Sequence, residues 1–338
     1  MAMAKGKKRK SVGDLVTFTL TAAAFLAVGL LLSSGSLTRQ VSNMLLPISV
    51  YIVLAVSLNL VVGLLGELSL GHAGFMSVGL FSGCLLSIAL SGSLPLFVRL
   101  PLSMLLGGLT ASLFGLLVGL PALRLKGDYL AIVTLACGEI VKNIITNLNV
   151  TGGALGLDTG AIYSKAATLL PYGAVLVLLT VLVMMHLKRS KHGRAIMAIR
   201  DNRIAAESIG INVTRYKLTV FMLSAFFAGA AGALYGHCFA NVKAAAFDYN
   251  MSIEILVIVV LGGMGSVPGS ILAAVVLQAL PEAMREFADY RMLVYAVVLI
   301  LVMLVTNNPK LRALADSLHP ARIAERQREK KRSGREAA

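Results

Sequence analysis

Charged side chains are scarce in this chain: Lys, Arg, Asp and Glu together make up 14% of its 338 residues. Soluble domains average about 25%, whereas hydrophobic residues here reach 57% and the mean hydropathy is +0.82. A helix that crosses a bilayer needs roughly 20 apolar residues, and the sequence supplies such runs repeatedly. The composition excludes a soluble globular class and predicts an all-α polytopic membrane protein.

Sequence signals for several kinds of site are also missing. The three cysteines, Cys84, Cys137 and Cys238, lie in apolar or small-residue surroundings without a CxxC pair, so neither a disulfide nor a metal site is expected. No GxxxxGK[ST] phosphate loop occurs, so we expect no ATPase site of that type and no bound cofactor. No HExxH, Ser-His-Asp or paired-carboxylate arrangement indicates catalysis within the membrane.

The net charge of +15 comes from three segments, and the rest of the chain is neutral. Residues 1–14 hold five basic and one acidic side chain, residues 188–217 eight and two, and residues 307–338 nine and four. No base-reading motif accompanies this charge, so nucleic acid is not an expected partner. Because basic loops stay on the cytoplasmic side, we predict a cytoplasmic N-terminus (1–14), a membrane domain (15–306) and a cytoplasmic tail (307–338). We call the internal basic segment 188–217 the island.

The positions of the basic segments, together with the need for an even number of spans between cytoplasmic segments, predict about ten membrane spans. Apolar runs occupy 15–34, 44–65, 68–90, 96–120, 129–148 and 168–187 before the island, and 217–240, 251–280 and 291–306 after it. Three spans after the island would place the basic tail outside. The run 251–280 contains Gly262–Gly269, a stretch of glycines with a proline that disfavours a continuous helix. Two short spans joined by a glycine turn return both termini to the inside.

Two groups of polar residues interrupt the apolar runs. Glu67, Ser69 and His72 lie among glycines between the second and third runs. They either line a path through the membrane, because buried ionisable groups need a cavity or a partner, or they occupy a hydrated cytoplasmic turn. The segments Ser57–Gly66 and Ser252–Gly262 are weakly similar, since each is an apolar run that leads into a glycine-broken turn. Transporters often contain internal repeats of this kind.

The second group falls on one face of the predicted fifth span. Glu139, Lys142, Asn143 and Thr146 recur at a spacing of three to four residues. Such a stripe faces the interior of a helix bundle, as a path lining or as a contact between helices. Glu254 is a further path candidate, near the start of the run 251–280.

Four blocks in a fixed order resemble the branched-chain amino acid ABC permeases of the LivM type. They are SLNLVVGLLGELSLGHAGFMSVG (57–79), GDYLAIVTLACGEIVKNI (127–144), GRAIMAIRDNRIAAESIGINVTRYKL (193–218) and SIEILVIVVLGGMGSVPGSILAA (252–274). The resemblance implies a type II ABC importer-like permease in the cell inner membrane. Its implied partners are a LivH-like second permease, two cytoplasmic ATPases that use the ATP, an extracytoplasmic amino-acid-binding protein, and membrane lipid.

The resemblance also implies that residues 193–212 of the island dock on the ATPase, with Ala205, Ala206, Glu207 and Gly210 at the positions of the family's Glu-Ala-Ala-type motif. Asp201 or Asn202 can cap a helix that begins near Arg203, and Gly210 can end it. We expect an apolar edge and a set of charged contacts on this helix. The apolar edge comprises Ile204, Ser208 and Ile211, and the charged contacts are Arg200, Arg203 and Glu207.

Several alternatives remain open at this point. Permeases for urea, short amides or sugars share much of this architecture, so the cargo is not fixed by the motifs. A membrane-embedded enzyme would need an essential acid–base pair, for which Glu67 and His72 are the candidates. A passive scaffold or sensor would bind an ATPase without transport. The island itself could be a solvated basic loop with incidental helicity.

Overall fold

The structure is a computed structural model that describes residues 17–31, 39–125 and 127–283, together with Val297 and Ile300. The chain divides into two compact units, Met1–Ala279 and Leu280–Ala338. Few described residues belong to the second unit, so the fold given below is that of the first.

Long apolar helices form most of the first unit. The helices are α1 (Thr17–Leu31), α2 (Arg39–Asn59), α3 (His72–Ala89), α4 (Leu96–Ala122), α5 (Asp128–Asn147), α6 (Ala166–Arg189), α7 (Lys191–Asp201), α8 (Arg203–Ser208), α9 (Val213–Gly236), α10 (Tyr249–Gly262) and α11 (Val267–Ala283). The all-α membrane class predicted from composition is therefore confirmed. Helices α7 and α8 lie within the island.

Seven helical segments in the described part of the chain are long and apolar enough to cross a bilayer. They are Ser42–Leu65, His72–Ala89, Leu96–Ala122, Asp128–Asn147, Ala166–Arg189, Val213–Gly236 and Ala244–Gly262. Two shorter apolar helices, Thr17–Leu31 and Val267–Leu280, accompany them. The predicted last span, 291–306, lies outside the described residues except for Val297 and Ile300, as do the segments 1–14 and 307–338. The total of about ten stays a prediction.

Two of the apolar runs are broken rather than continuous. Helix α2 continues as a π-helix over Leu60–Leu65 and ends at Gly66, and regular helix resumes only at His72. Helices α10 and α11 are separated by a turn in which Gly263 and Gly265 have φ of +87° and +82°, a conformation that side chains other than hydrogen disfavour. The predicted division of 251–280 is thus observed. We call residues 60–71 the first break and residues 262–266 the second break.

Helices α3, α4 and α9 pack most extensively, and glycines allow their close approach. A Cβ atom at Gly107 would lie 2.5 Å from the carbonyl oxygen of Gly79, and one at Gly229 would overlap the carbonyl of Gly107. Membrane helices associate through such small residues because lipid supplies little hydrophobic driving force. Helix α2 packs against α6 and α9 and is almost entirely buried over its second half.

The connections that follow α5 and α9 are joined by two short antiparallel strands. Strand β1 (Leu157–Asp158) pairs with β2 (Asn241–Val242), with Leu157 opposite Val242. The Thr159 hydroxyl also donates a hydrogen bond of 2.5 Å to the carbonyl of Phe239. These bonds tie two connections that the predicted topology places on the outer side.

Candidate functional site

The island folds as two capped helices. The Ser190 hydroxyl accepts a hydrogen bond of 3.0 Å from the Gly193 amide at the start of α7, and the Asn202 side chain accepts one of 3.0 Å from Ala205 at the start of α8. Of the two predicted caps, Asn202 is the one used, because Asp201 is the last residue of α7. The Asp201 carboxylate pairs instead with Arg200 at 2.9 Å.

Gly210 ends α8, as predicted. Its φ is +83°, its amide donates to the Glu207 carbonyl at 3.0 Å, and the Ile211 amide donates to the Ala206 carbonyl at 3.1 Å. This pair of bonds is a Schellman motif, which satisfies the last carbonyls of a helix and requires a left-handed residue.

One side of the island packs inward and the other is exposed. Ile199, Ala206 and Val213 form a buried cluster, against which Ile211 and Tyr216 pack. Of the apolar edge predicted for this helix, Ile211 is thus partly buried against the cluster. The side chains of Ile204 and Ile209 instead are 80% and 74% exposed. Beside them, Arg203 and Glu207 form an exposed ion pair at 3.0 Å.

The residues Glu67, Ser69 and His72 are buried or largely buried, and they have different surroundings. Glu67 forms an ion pair with Lys217, and the two side chains are only 14% and 5% exposed. The His72 ring nitrogen Nε2 lies 2.8 Å from the Ser57 hydroxyl. The buried Ser69 hydroxyl has no partner among the described residues. These side chains are therefore shielded from solvent within the fold, and Glu67 is paired with a residue of the island.

Glu139 and Asn143 lie on α5 as the spacing predicts, but they do not join the first group. Glu139 forms an ion pair with Lys142 and accepts a hydrogen bond of 2.9 Å from the Tyr249 amide, at the start of α10. Asn143 is exposed. It lines an open groove with Ile140, Ile144, Asn147 and Leu148.

Glu254 lies between α2 and α11. The Tyr51 hydroxyl donates to its carboxylate at 3.4 Å, and the Gln278 amide donates to the other oxygen at 2.9 Å. Sequence reasoning did not single out Tyr51 or Gln278, because neither forms a motif with Glu254 along the chain.

The two breaks meet each other through Asn59, a residue that was not predicted as functional. Its side-chain oxygen accepts a hydrogen bond of 2.7 Å from the Gly265 amide. Its amide nitrogen donates to the Ser266 carbonyl at 3.1 Å and to the Ser270 hydroxyl at 2.9 Å. The sequence signal that could have identified Asn59 is its polar side chain within an apolar run, because polar groups in membrane helices need partners.

Basic residues of the island reach both breaks. The Arg200 guanidinium donates to the Gly63 carbonyl at 3.1 Å, and the Lys188 ammonium donates to the Gly265 carbonyl at 2.8 Å. The ion pair of Lys217 with Glu67 is a third contact. Among the described residues, no group of three or more His, Cys, Asp or Glu side chains is arranged to hold a metal ion.

Comparison with known proteins identifies a matching family and several relatives of this chain. Residues 40–305 match the family model described as branched-chain amino acid transport system / permease component. The high-affinity branched-chain amino acid transport system permease protein LivM of Salmonella typhimurium is 38% identical over 286 residues, which cover 75% of this chain and 66% of the relative. The chain thus spans just under two thirds of that protein's length.

Two further relatives are more distant. The permease protein LivH of Salmonella typhimurium is 31% identical over 153 residues, covering 43% of this chain and 49% of the relative. The ribose import permease protein RbsC of Haemophilus influenzae is 25% identical over 325 residues, covering 89% and 97%. No solved structure matches the chain. The match over residues 40–305 shows that this chain belongs to the family of branched-chain amino acid transport system permease components.

Proposed function

We propose that this chain is the LivM-type permease subunit of an ATP-driven importer for branched-chain amino acids. The observation that carries the proposal is the island, which presents a capped helix with exposed Ile204 and Ile209 above a buried underside. The two caps and the Schellman motif fix the helix ends, and exposed apolar side chains on such a helix suit contact with a partner. The identity to LivM supports the cargo class.

The proposed assembly follows from what this chain leaves to others. This chain would form the cargo path with a LivH-like second permease. Two cytoplasmic ATPases and an extracytoplasmic amino-acid-binding protein would complete the assembly. The similarity to both LivM and LivH supports a pair of different permeases. In this assembly the chain itself is not an enzyme, binds no cofactor, and relies on ATP hydrolysed by the partner subunits.

We place the protein in the cell inner membrane with about ten spans, a type II ABC importer-like arrangement and both termini in the cytoplasm. The charge of the island and of the two terminal segments supports this orientation, because basic loops remain inside. The island would then lie on the side where ATP is available.

The proposed cargo path runs along the exposed face of α5. The polar Asn143 on that face is unfavourable in contact with lipid, so the second permease or the path itself would cover it. Glu139 and Lys142 neutralise each other. The same face exposes Ile140 and Ile144 beside Asn143. A partly apolar lining without net charge suits a zwitterionic amino acid with an apolar side chain, since an unbalanced charge would hold one end of the cargo.

A sugar is the second candidate cargo, favoured by the similarity to RbsC over 89% of the chain. The deciding experiment is uptake of labelled leucine and of labelled ribose by cells that carry this chain with its partner subunits and lack their own importers. We expect leucine uptake that is lost when this chain is deleted. Ribose uptake without leucine uptake would overturn the proposed cargo.

A second test concerns the island. Glu207→Arg reverses one charge of the exposed pair, and Gly210→Pro removes both the left-handed conformation and the amide that donates to Glu207. We expect either change to reduce ATPase association or coupling while membrane insertion is unchanged. Normal transport in both variants would show that the island does not have this role.

A further inference from the structure

The first and second breaks are in direct backbone contact. A Cβ atom added at Gly63 would overlap the backbone of Gly265 and the Asn59 side chain. Because Gly63 lacks a side chain, the two breaks approach as closely as van der Waals radii allow. Asn59 then joins them by hydrogen bonds to Gly265, Ser266 and Ser270.

Asn59 is fully buried, and its amide makes three hydrogen bonds across the contact. The side-chain amide has two donor hydrogens and an oxygen with two lone pairs, so both hydrogens and one lone pair are used in joining the breaks. In a low-dielectric interior these bonds are strong, and their loss leaves unpaired polar groups behind. The two breaks therefore behave as one unit as long as Asn59 is present.

The island contacts both of the joined breaks. Arg200 binds the first break at Gly63, and Lys188 binds the second at Gly265, two residues whose backbones touch. Lys188 lies near the end of α6 and Arg200 near the end of α7. A displacement of α7 relative to the membrane helices must therefore move the first break, and the second break joined to it, or rupture the bond from Arg200. Lys188 holds the second break to the end of α6, the helix that leads into α7.

We propose that Asn59 is a positioning residue for transport, which joins the two breaks so that movement of the island displaces α2–α3 and α10–α11 together. This inference rests on the proposed function, in which an ATPase moves the island. Lys188 and Arg200 transmit the movement to the breaks, and Asn59 keeps the breaks from responding separately.

The test uses the complete transporter, reconstituted in proteoliposomes with its partner permease, ATPases and binding protein. Asn59→Leu removes all three bonds at similar volume, and Lys188→Met removes the bond to Gly265 while retaining most of the apolar stem. The measured quantity is labelled leucine taken up per ATP hydrolysed. We expect each variant to lower this ratio at least fivefold while ATPase association and hydrolysis persist.

Matched controls separate positioning from stability. Thr180→Val removes a fully buried hydroxyl that bonds to the Leu176 carbonyl of its own helix, and Lys165→Met removes an exposed lysine of the connection before α6. Both should keep the wild-type ratio. A merely structural role of Asn59 would lower the amount of assembled complex and leave the uptake-to-hydrolysis ratio of the remainder unchanged.

The outcomes distinguish this inference from the proposed function. If the wild-type complex couples leucine uptake to hydrolysis and Asn59→Leu and Lys188→Met do so equally well, the positioning role is wrong and the function stands. If the wild-type complex neither binds ATPase nor takes up leucine, the proposed function itself is wrong.

Discussion

Removing one partner of the ion pair of Glu67 with Lys217 should strongly destabilise the protein. Removing one partner of a buried pair leaves an uncompensated charge and costs about 3–5 kcal/mol. Because the Glu67 side chain is 14% exposed, we expect Glu67→Gln to cost about 3 kcal/mol, the lower end of that range. A loss of this size changes the unfolding equilibrium constant by roughly a hundredfold.

A double-mutant cycle in detergent, with unfolding by SDS followed by circular dichroism, measures the coupling free energy between the two side chains. Glu67→Gln combined with Lys217→Met removes both charges, so the double variant should recover about 2 kcal/mol relative to the sum of the single variants. The exposed pair of Arg203 with Glu207 is the internal control, for which Glu207→Gln should cost about 0.5 kcal/mol or less. Additive effects of the two buried substitutions would refute the reasoning, because independent sites do not couple.

Three further predictions follow from the local structure. Asn202→Ala removes the cap of α8, which costs about 1 kcal/mol, and should weaken ATPase binding about fivefold by surface plasmon resonance. Gly210→Ala places a Cβ at φ of +83° and should weaken the same binding by a similar factor, since a non-glycine residue there costs about 1 kcal/mol. Gly229→Leu fills a contact where even a Cβ would overlap Gly107, so size-exclusion chromatography should show loss of monodisperse protein.

The parts of the fold that depend on one local property could be predicted from the sequence. Hydropathy locates the helices, and the glycines of 262–266 predict the division of α10 from α11, because the backbone there requires positive φ. Helix ends were less accurate. Helix α3 begins at His72 rather than near residue 68. The turn before it relies on a partner far along the chain, since the Leu70 amide donates to the Thr134 hydroxyl at 3.0 Å.

The candidate site was accessible only in part. Caps are local, so the roles of Asn202 and Gly210 could be predicted from neighbouring residues. The partners of Glu67 and Asn59 lie 150 and 206 residues away along the chain. Sequence periodicity within one helix does not predict contacts between residues so far apart. The inward packing of Ile211 depends on α9 closing over the island, which helix periodicity within α8 does not reveal.

The central claim is that the island binds the ATPase, and co-purification of the ATPase with the permease tests it most directly. Ile204→Asp and Ile209→Asp place a charge on the two exposed apolar side chains of the island, and Leu155→Asp does so on an 81% exposed leucine of the connection after α5. We predict that the island variants retain less than about a tenth of the ATPase, a loss of at least about 1.4 kcal/mol in binding, while Leu155→Asp retains all of it. Full retention of the ATPase by Ile204→Asp and Ile209→Asp would contradict the account.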